Sequence, residues 1–233
     1  MWLVFMPALA VWTLICGFLA GLTAVVLHPR VGFHFGTLWA WLLCRVNFTR
    51  VRITGRQNME PKQSYVILCN HQSHFDILAL YGHWRRQFRW VMKQELRKVP
   101  ALGWSCDKIG FVYIDRSNRE RAIASLQAAR PRLKGGVSVL LFPEGTRSEN
   151  GRLGAFKKGG FMMALDLGLP VLPVSISGSA RVLPSNTLKL LPGKIDIHVG
   201  RPIDTTAYGL ERRDELMEDV RQAIAAGLPP DQR

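Results

Sequence analysis

Apolar and polar positions divide this chain into two regimes. Residues 2–27, "WLVFMPALAVWTLICGFLAGLTAVVL", hold no charged side chain over 26 positions. A bilayer core takes about 20 apolar residues as helix, so this run is long enough to span with some tilt. Pro7, Gly17 and Gly21 are tolerated in such helices. A signal peptide is not indicated, because no basic start and no small-x-small cleavage site accompanies the run. After "HPR" comes a second apolar and aromatic run, residues 31–46. It is too short for a second span and reads as an interfacial or re-entrant helix packed on the first. The alternative is a buried helical hairpin of a soluble protein.

From about residue 51 the pattern changes to short apolar runs alternating with helical periodicity. Strands are predicted over 64–70, 88–93, 110–116, 138–145, 169–177 and, with period two, 194–199. Helices are predicted over 75–82, 117–133, 160–168 and 211–227. Ser117 with Glu120 three residues on makes a capping box, and Pro131 ends that helix. In the last helix Leu216, Val220, Ala223 and Ile224 share one face. Strands separated by helices imply an α/β fold, a largely parallel sheet flanked by helices. The expected organisation is a membrane-embedded helical hairpin, 1–50, followed by one domain, 51–233, with the boundary near 46–55.

Charge sharpens the picture. The formal net charge of the 233 residues is +14, and the first acidic residue is Glu60. Such a chain seeks polyanions: nucleic acid, anionic headgroups or phosphorylated substrates. Arg30, Arg45, Arg50, Arg52 and Arg56 all follow the first apolar run. The positive-inside rule then puts the main domain in the cytoplasm. The basic, aromatic stretch 85–104 sits beside an expected membrane anchor, which favours an anionic lipid surface over nucleic acid. Cys16, Cys44, Cys69 and Cys106 are widely spaced and form no CxxC. They read as buried hydrophobes of a reducing compartment, without disulfide or zinc.

Two stretches carry candidate chemistry. In "YVILCNHQSHFDILAL", 65–80, a strand stops at Asn70 and His71, His74 and Asp76 follow. Within one helix, His71 and Asp76 would lie about 140° apart. With His71 in the turn, the chain folds back and Asp76 reaches one imidazole nitrogen, leaving the other as a general base. Two readings stand beside this one: a metal site from His71, His74 and Asp76, and a plain helix-start turn. In "FPEGTRS", 142–148, a strand runs into a Gly turn with Arg147, suited to bidentate phosphate binding. Lys157 and Lys158 follow. This is no Walker A loop, since its spacing is absent. Asp115 and Arg116 mark a third strand end.

Together these stretches resemble the PlsC-like glycerolipid acyltransferase family, the 1-acyl-sn-glycerol-3-phosphate (lysophosphatidic acid) acyltransferases. "NHQSHFD" (70–76), "GFVYIDR" (110–116), "FPEGTRS" (142–148) and "VLPVSIS" (171–177) match its four blocks in order. "KQELRKVPALGW" (93–104) and the apolar N-terminal hairpin also fit. The resemblance implies a glycerol-3-phosphate acyltransferase-like fold and acyl transfer from acyl-CoA or acyl carrier protein to a lysophospholipid hydroxyl, without cofactor or metal. It implies His71 as base and Asp76 as its partner. Arg116, Glu144, Gly145, Thr146 and Arg147 go to the acceptor phosphate, and Ser73 and Pro173 to the acyl-donor or catalytic pocket. His74 falls at a variable position. The oxyanion needs donors, and the backbone N–H groups where the helix starts after His71 are the candidates. Lysophosphatidic acid is the expected acceptor, with lyso-ornithine lipid or another lysophospholipid as rival; a non-catalytic lipid-binding protein is the other class. The implied setting is the cytoplasmic face of a bacterial inner membrane, with membrane lipids as partners.

Overall fold

The aliphatic runs do become strands, and each ends where a polar or Gly-containing turn begins. The computed structural model describes residues 2–115, 118–187 and 189–233, with backbone alone for 2–9 and 119. Two helices come first, α1 (Trp2–Val26) and α2 (Pro29–Val46). Then follow β1 (Thr49–Thr54), β2 (Val66–Cys69), α3 (Phe75–His83), β3 (Phe88–Lys93), α4 (Leu102–Ile109) and β4 (Val112–Ile114). The rest is α5 (Arg119–Ala129), β5 (Ser138–Leu141), α6 (Gly159–Leu167), β6 (Val171–Ser177), α7 (Ser179–Val182), β7 (Gly193–Val199) and α8 (Arg213–Ala226).

The seven strands form one mixed sheet in the order β1-β7-β6-β2-β5-β3-β4. Only β6 and β7 pair antiparallel among the described strands. The expected α/β class is therefore what the chain adopts. Strands β2 and β6 are buried on both faces, as in a sheet covered by helices. Pro173 is tolerated inside β6 because pairing with β7 begins one residue later, at Val174. Its carbonyl accepts from Gly200 N at 2.9 Å.

Strand β1 escaped the pattern reading, which placed the domain boundary across it. It is an edge strand paired only with β7, and its burial alternates. Helix α5 starts later than predicted: Asn118 caps it, its side chain accepting from Arg121 N at 3.0 Å. The expected cap Ser117 lies outside the described residues. Pro131 sits in the 3-10 turn that follows α5, as a helix stop should.

The hairpin forms and shares one core with the sheet. His28 caps α2 through Nδ1, and Pro29 opens the helix. Gly32 lets α1 and α2 touch, since a Cβ there would lie 2.4 Å from Ala20 O. Phe33, Ala40 and Cys44 of α2 are buried in the same cluster as Tyr81, Phe88 and Trp90. Phe18 of α1 stacks on Trp104 of α4. The hairpin is thus no loose appendage. Its outer face leaves Val11, Ile15, Phe18, Leu22 and Val26 exposed. Among the described residues, no helix is long and apolar enough to cross a membrane, so the expected span finds no support there.

Candidate active site

Strand β2 ends where Asn70 substitutes its side chain for backbone. Its Nδ2 donates to Ile176 O at 2.9 Å, and its Oδ1 accepts from Ile176 N at 2.7 Å. The amide extends the β2–β6 pairing by one position and frees the main chain to turn. His71 stands in that turn, and α3 begins at Phe75.

Asp76, on the first turn of α3, is fully buried. Its Oδ2 accepts three hydrogen bonds: Gln72 N at 2.7 Å, Ser73 N at 2.9 Å and His71 Nδ1 at 2.8 Å. The chain has folded back as the spacing required. With two N–H groups already on that oxygen, Nδ1 carries the proton and donates. Nε2 is left as the acceptor, and it has no partner among the described residues. The histidine side chain is 12% exposed, enough to meet a substrate from one side.

The loop after β5 holds His71 from the other side. Glu144 Oε1 accepts from His71 N at 2.8 Å, and Ser148 N donates to His71 O at 2.8 Å. Phe142 stacks on the imidazole, centroids 3.8 Å apart and planes 7° from parallel. Phe142 in turn contacts Trp90. The stack and the Asp76 bond together orient the imidazole.

Several of the expected residues already have partners within the protein. Glu144, expected on the acceptor-phosphate side, is buried, and its second oxygen accepts from Gly154 N at 2.9 Å. Burial pushes its pKa up, against the pull of those two N–H bonds. It braces two loops. Ser73 Oγ donates to Leu183 O at 2.6 Å and accepts from Phe75 N at 3.1 Å, so it too is structural. Pro173 lies in the sheet and not in the wall of the neighbouring cavity. Four of the N–H groups at the helix start, the expected oxyanion donors, are already engaged. Those of Gln72 and Ser73 serve Asp76, that of Phe75 serves Ser73 Oγ, and that of Asp76 bonds Ser73 O.

Gly145 adopts φ +75°, and Lys157 lies across it; a Cβ would come within 3.0 Å of Nζ. Thr146 is exposed, and Arg147 is half-buried beside the histidine loop. Arg147 depresses the pKa of exposed His74, after the larger effect of desolvation. Lys157 thus lies against Gly145, and Arg147 close enough to His74 to act on its charge. Arg116, expected with them, lies outside the described residues. His74 starts α3 with no side-chain capping bond. Among the described residues, no three potential metal ligands converge.

A cavity of about 500 Å³ opens beside this cluster. Phe142, Leu141, Ile114, Leu126 and Met163 give it apolar walls, and Lys157 stands at its polar part. The pattern reading missed Phe142 as a site residue. The available signal was a large aromatic ending an aliphatic strand two residues before a glutamate. It also missed Gln72, which is buried and donates from Nε2 to Gly151 O and Gln232 Oε1, both at 2.8 Å.

Both the sequence and the fold have known relatives. The family model described as Acyltransferase matches residues 50–177. The chain is 36% identical over 207 residues to a 1-acyl-sn-glycerol-3-phosphate acyltransferase of Chlamydomonas reinhardtii, covering 88% of this chain and 60% of that protein. It is 33% identical over 198 residues to the enzyme of that name in Pseudomonas aeruginosa, covering 83% and 76%. The crystal structure of the 1-acyl-sn-glycerophosphate (LPA) acyltransferase PlsC from Thermotoga maritima superposes with a TM-score of 0.77 at 27% identity, over 96% of this chain and 92% of that one. The chain spans 55% to 64% of the length of three plant and algal relatives.

Proposed function

We propose that this chain, which belongs to the acyltransferase family and within it to the 1-acyl-sn-glycerol-3-phosphate acyltransferases, acylates the free sn-2 hydroxyl of 1-acyl-sn-glycerol-3-phosphate. The donor is the thioester of acyl-CoA or acyl carrier protein, and the product is phosphatidic acid. The observation that carries this reading is His71, held at 2.8 Å by Asp76 with Nε2 unpartnered.

In this reading Nε2 takes the hydroxyl proton as the oxygen attacks the thioester carbonyl. The C–O bond forms, the tetrahedral intermediate collapses, the C–S bond breaks, and the imidazolium returns the proton to the thiolate. Asp76 fixes the tautomer and supports the positive charge. Arg147 and Lys157, with Arg116, hold the acceptor phosphate and so place the hydroxyl. Correct placement alone is worth about 7–11 kcal/mol of barrier in favourable model reactions. The apolar cavity beside Phe142 accommodates an acyl chain. The exposed apolar face of α1 seats the enzyme in the membrane that supplies its lipid substrates, on the cytoplasmic face of a bacterial inner membrane by the arginine bias. No cofactor is required.

An acceptor panel with the purified full chain tests the assignment. Turnover with lysophosphatidic acid and its loss in His71→Ala, with an unchanged melting curve, are the expected results. Activity confined to a phosphate-free lyso-lipid would refute the acceptor. Full activity in His71→Ala would refute the base. Arg147→Ala is expected to raise KM for the phosphorylated acceptor more than it lowers kcat.

A further inference from the structure

Where β3 begins, arginines gather around an open point. Arg89, the second residue of β3, is only 4% exposed. Its Nη1 donates to Gln87 Oε1 and Phe88 O, both at 2.9 Å, and its guanidine group stands 5.4 Å over the Phe33 ring. Gly110, at φ +91°, leaves space beside it. Around the position a Cβ would take, the nearest atoms are Arg89 Nε at 3.6 Å, Arg132 Cδ at 3.8 Å and Arg132 Nη1 at 3.9 Å. The Arg89 and Arg132 side chains therefore flank the same point. Arg30 approaches from the hairpin turn: its carbonyl accepts from Gln87 Nε2 at 3.4 Å, the same glutamine that holds Arg89, and its Nη2 lies 3.9 Å from where a Cβ on Gly135 would stand, in the turn after Arg132.

None of the ion pairs among the described residues includes Arg30, Arg89 or Arg132. Burial first, then Arg30 and Arg132, lower the Arg89 pKa to about 10, against an upward pull from Tyr81. The group stays charged at neutral pH. A buried cation among like charges is unfavourable unless an anion completes the set. Forked guanidines suit a phosphate above other anions.

The surroundings select the kind of phosphate. The turn next to Arg30 exposes Val25, Val26 and Leu27 at 57%, 67% and 65%. A phosphate attached to apolar chains satisfies both the arginines and that apolar surface. We propose that Arg30, Arg89 and Arg132 form a site for the headgroup phosphate of an anionic phospholipid, separate from the acceptor site. It sits at the opening end of β3, where Arg89 pairs with Val139 near the start of β5. The loops that hold His71 leave the closing ends of β2 and β5. The site fastens the hairpin-turn end of the molecule to an acidic bilayer.

The test is binding of the full chain to vesicles of phosphatidylcholine alone and of phosphatidylcholine with about one-fifth phosphatidylglycerol. Arg132 is exposed, so Arg132→Gln leaves the core intact. This variant is expected to cut the anionic-to-neutral preference about tenfold. Arg201→Gln, an equal charge loss elsewhere on the surface, changes it less than about twofold. Arg89→Met shows the same loss as Arg132→Gln when its melting curve is cooperative. Turnover in neutral micelles is unaffected by Arg132→Gln, which separates this site from the catalytic one. Equal losses in Arg132→Gln and Arg201→Gln would reduce the site to diffuse surface charge and overturn the proposal. So would a melting-temperature rise with inorganic phosphate that Arg132→Gln abolishes while vesicle preference stays intact, since the ligand would then be free phosphate.

Discussion

Asp76 Oδ2 is the most heavily used atom of the site, receiving two backbone N–H groups and the imidazole. Asp76→Asn must present an amide to three donors. Its carbonyl oxygen can still accept from them, but the negative charge that supports the imidazolium is lost. A kcat loss on the order of 10³–10⁴ is expected in the acyltransferase assay, with the fold retained. Glu144→Gln leaves either His71 N or Gly154 N without an acceptor. A stability loss of about 1–3 kcal/mol in urea unfolding, together with reduced kcat, is expected; a silent variant would remove Glu144 from its bracing role. His74 tests the local field. Desolvation, Arg147 and His71 lower its pKa, partly offset by Asp76. The unfolded chain therefore binds the proton more readily than the folded one. Stability from this source is present above the ordinary histidine value of 6.5 and is lost as pH falls through the lowered one. His74→Asn lacks that loss, so its melting temperature relative to the native protein should climb between neutral and acid pH. At this scale the His71–Asp76 pair was legible from five-residue spacing. The roles of Glu144 and Ser73 were not, because a carboxylate or hydroxyl reads the same in sequence whether it faces substrate or backbone.

At the scale of elements, the runs of the second regime became strands and helices close to their expected bounds. Leu216, Val220 and Ile224 are the buried face of α8, and β7 alternates as its period-two pattern required. Strand β1 was hidden by its arginines. Arg50 and Arg52 read as juxtamembrane charge, yet they occupy the outward positions of an edge strand, where charge discourages further pairing. Contacts between elements rest on residues that no periodicity singles out. A Cβ on Gly82 would lie 2.7 Å from Trp41 N, so α2 and α3 touch backbone to backbone there. Gly82→Val forces the helices apart and is expected to cost about 1–3 kcal/mol in denaturant unfolding. An unchanged midpoint would show that the hairpin contributes nothing to the stability of the sheet.

For the whole molecule, the hairpin is both core and surface. One side buries Phe33, Ala40 and Cys44 against the sheet helices, and the other exposes Val11, Ile15, Leu22 and Val26 along one stripe of α1. Serine at Val11, Ile15 and Val26 together is expected to weaken partition to neutral vesicles at least about tenfold, while turnover on micellar substrate persists. Equal partition would separate this face from any membrane. The order of amino acids alone determined the α/β class, the apolar hairpin and the histidine–aspartate pair. Those depend on periodicity and short spacing, which are local. Only the tertiary structure decided that Glu144 meets His71 N across 73 positions, that Phe142 stacks on its ring, and that Arg89 and Arg132 meet beside Gly110 with Arg30 near Gly135. Such meetings are set by strand order and helix packing, and the sequence neighbourhood of each residue holds no record of them.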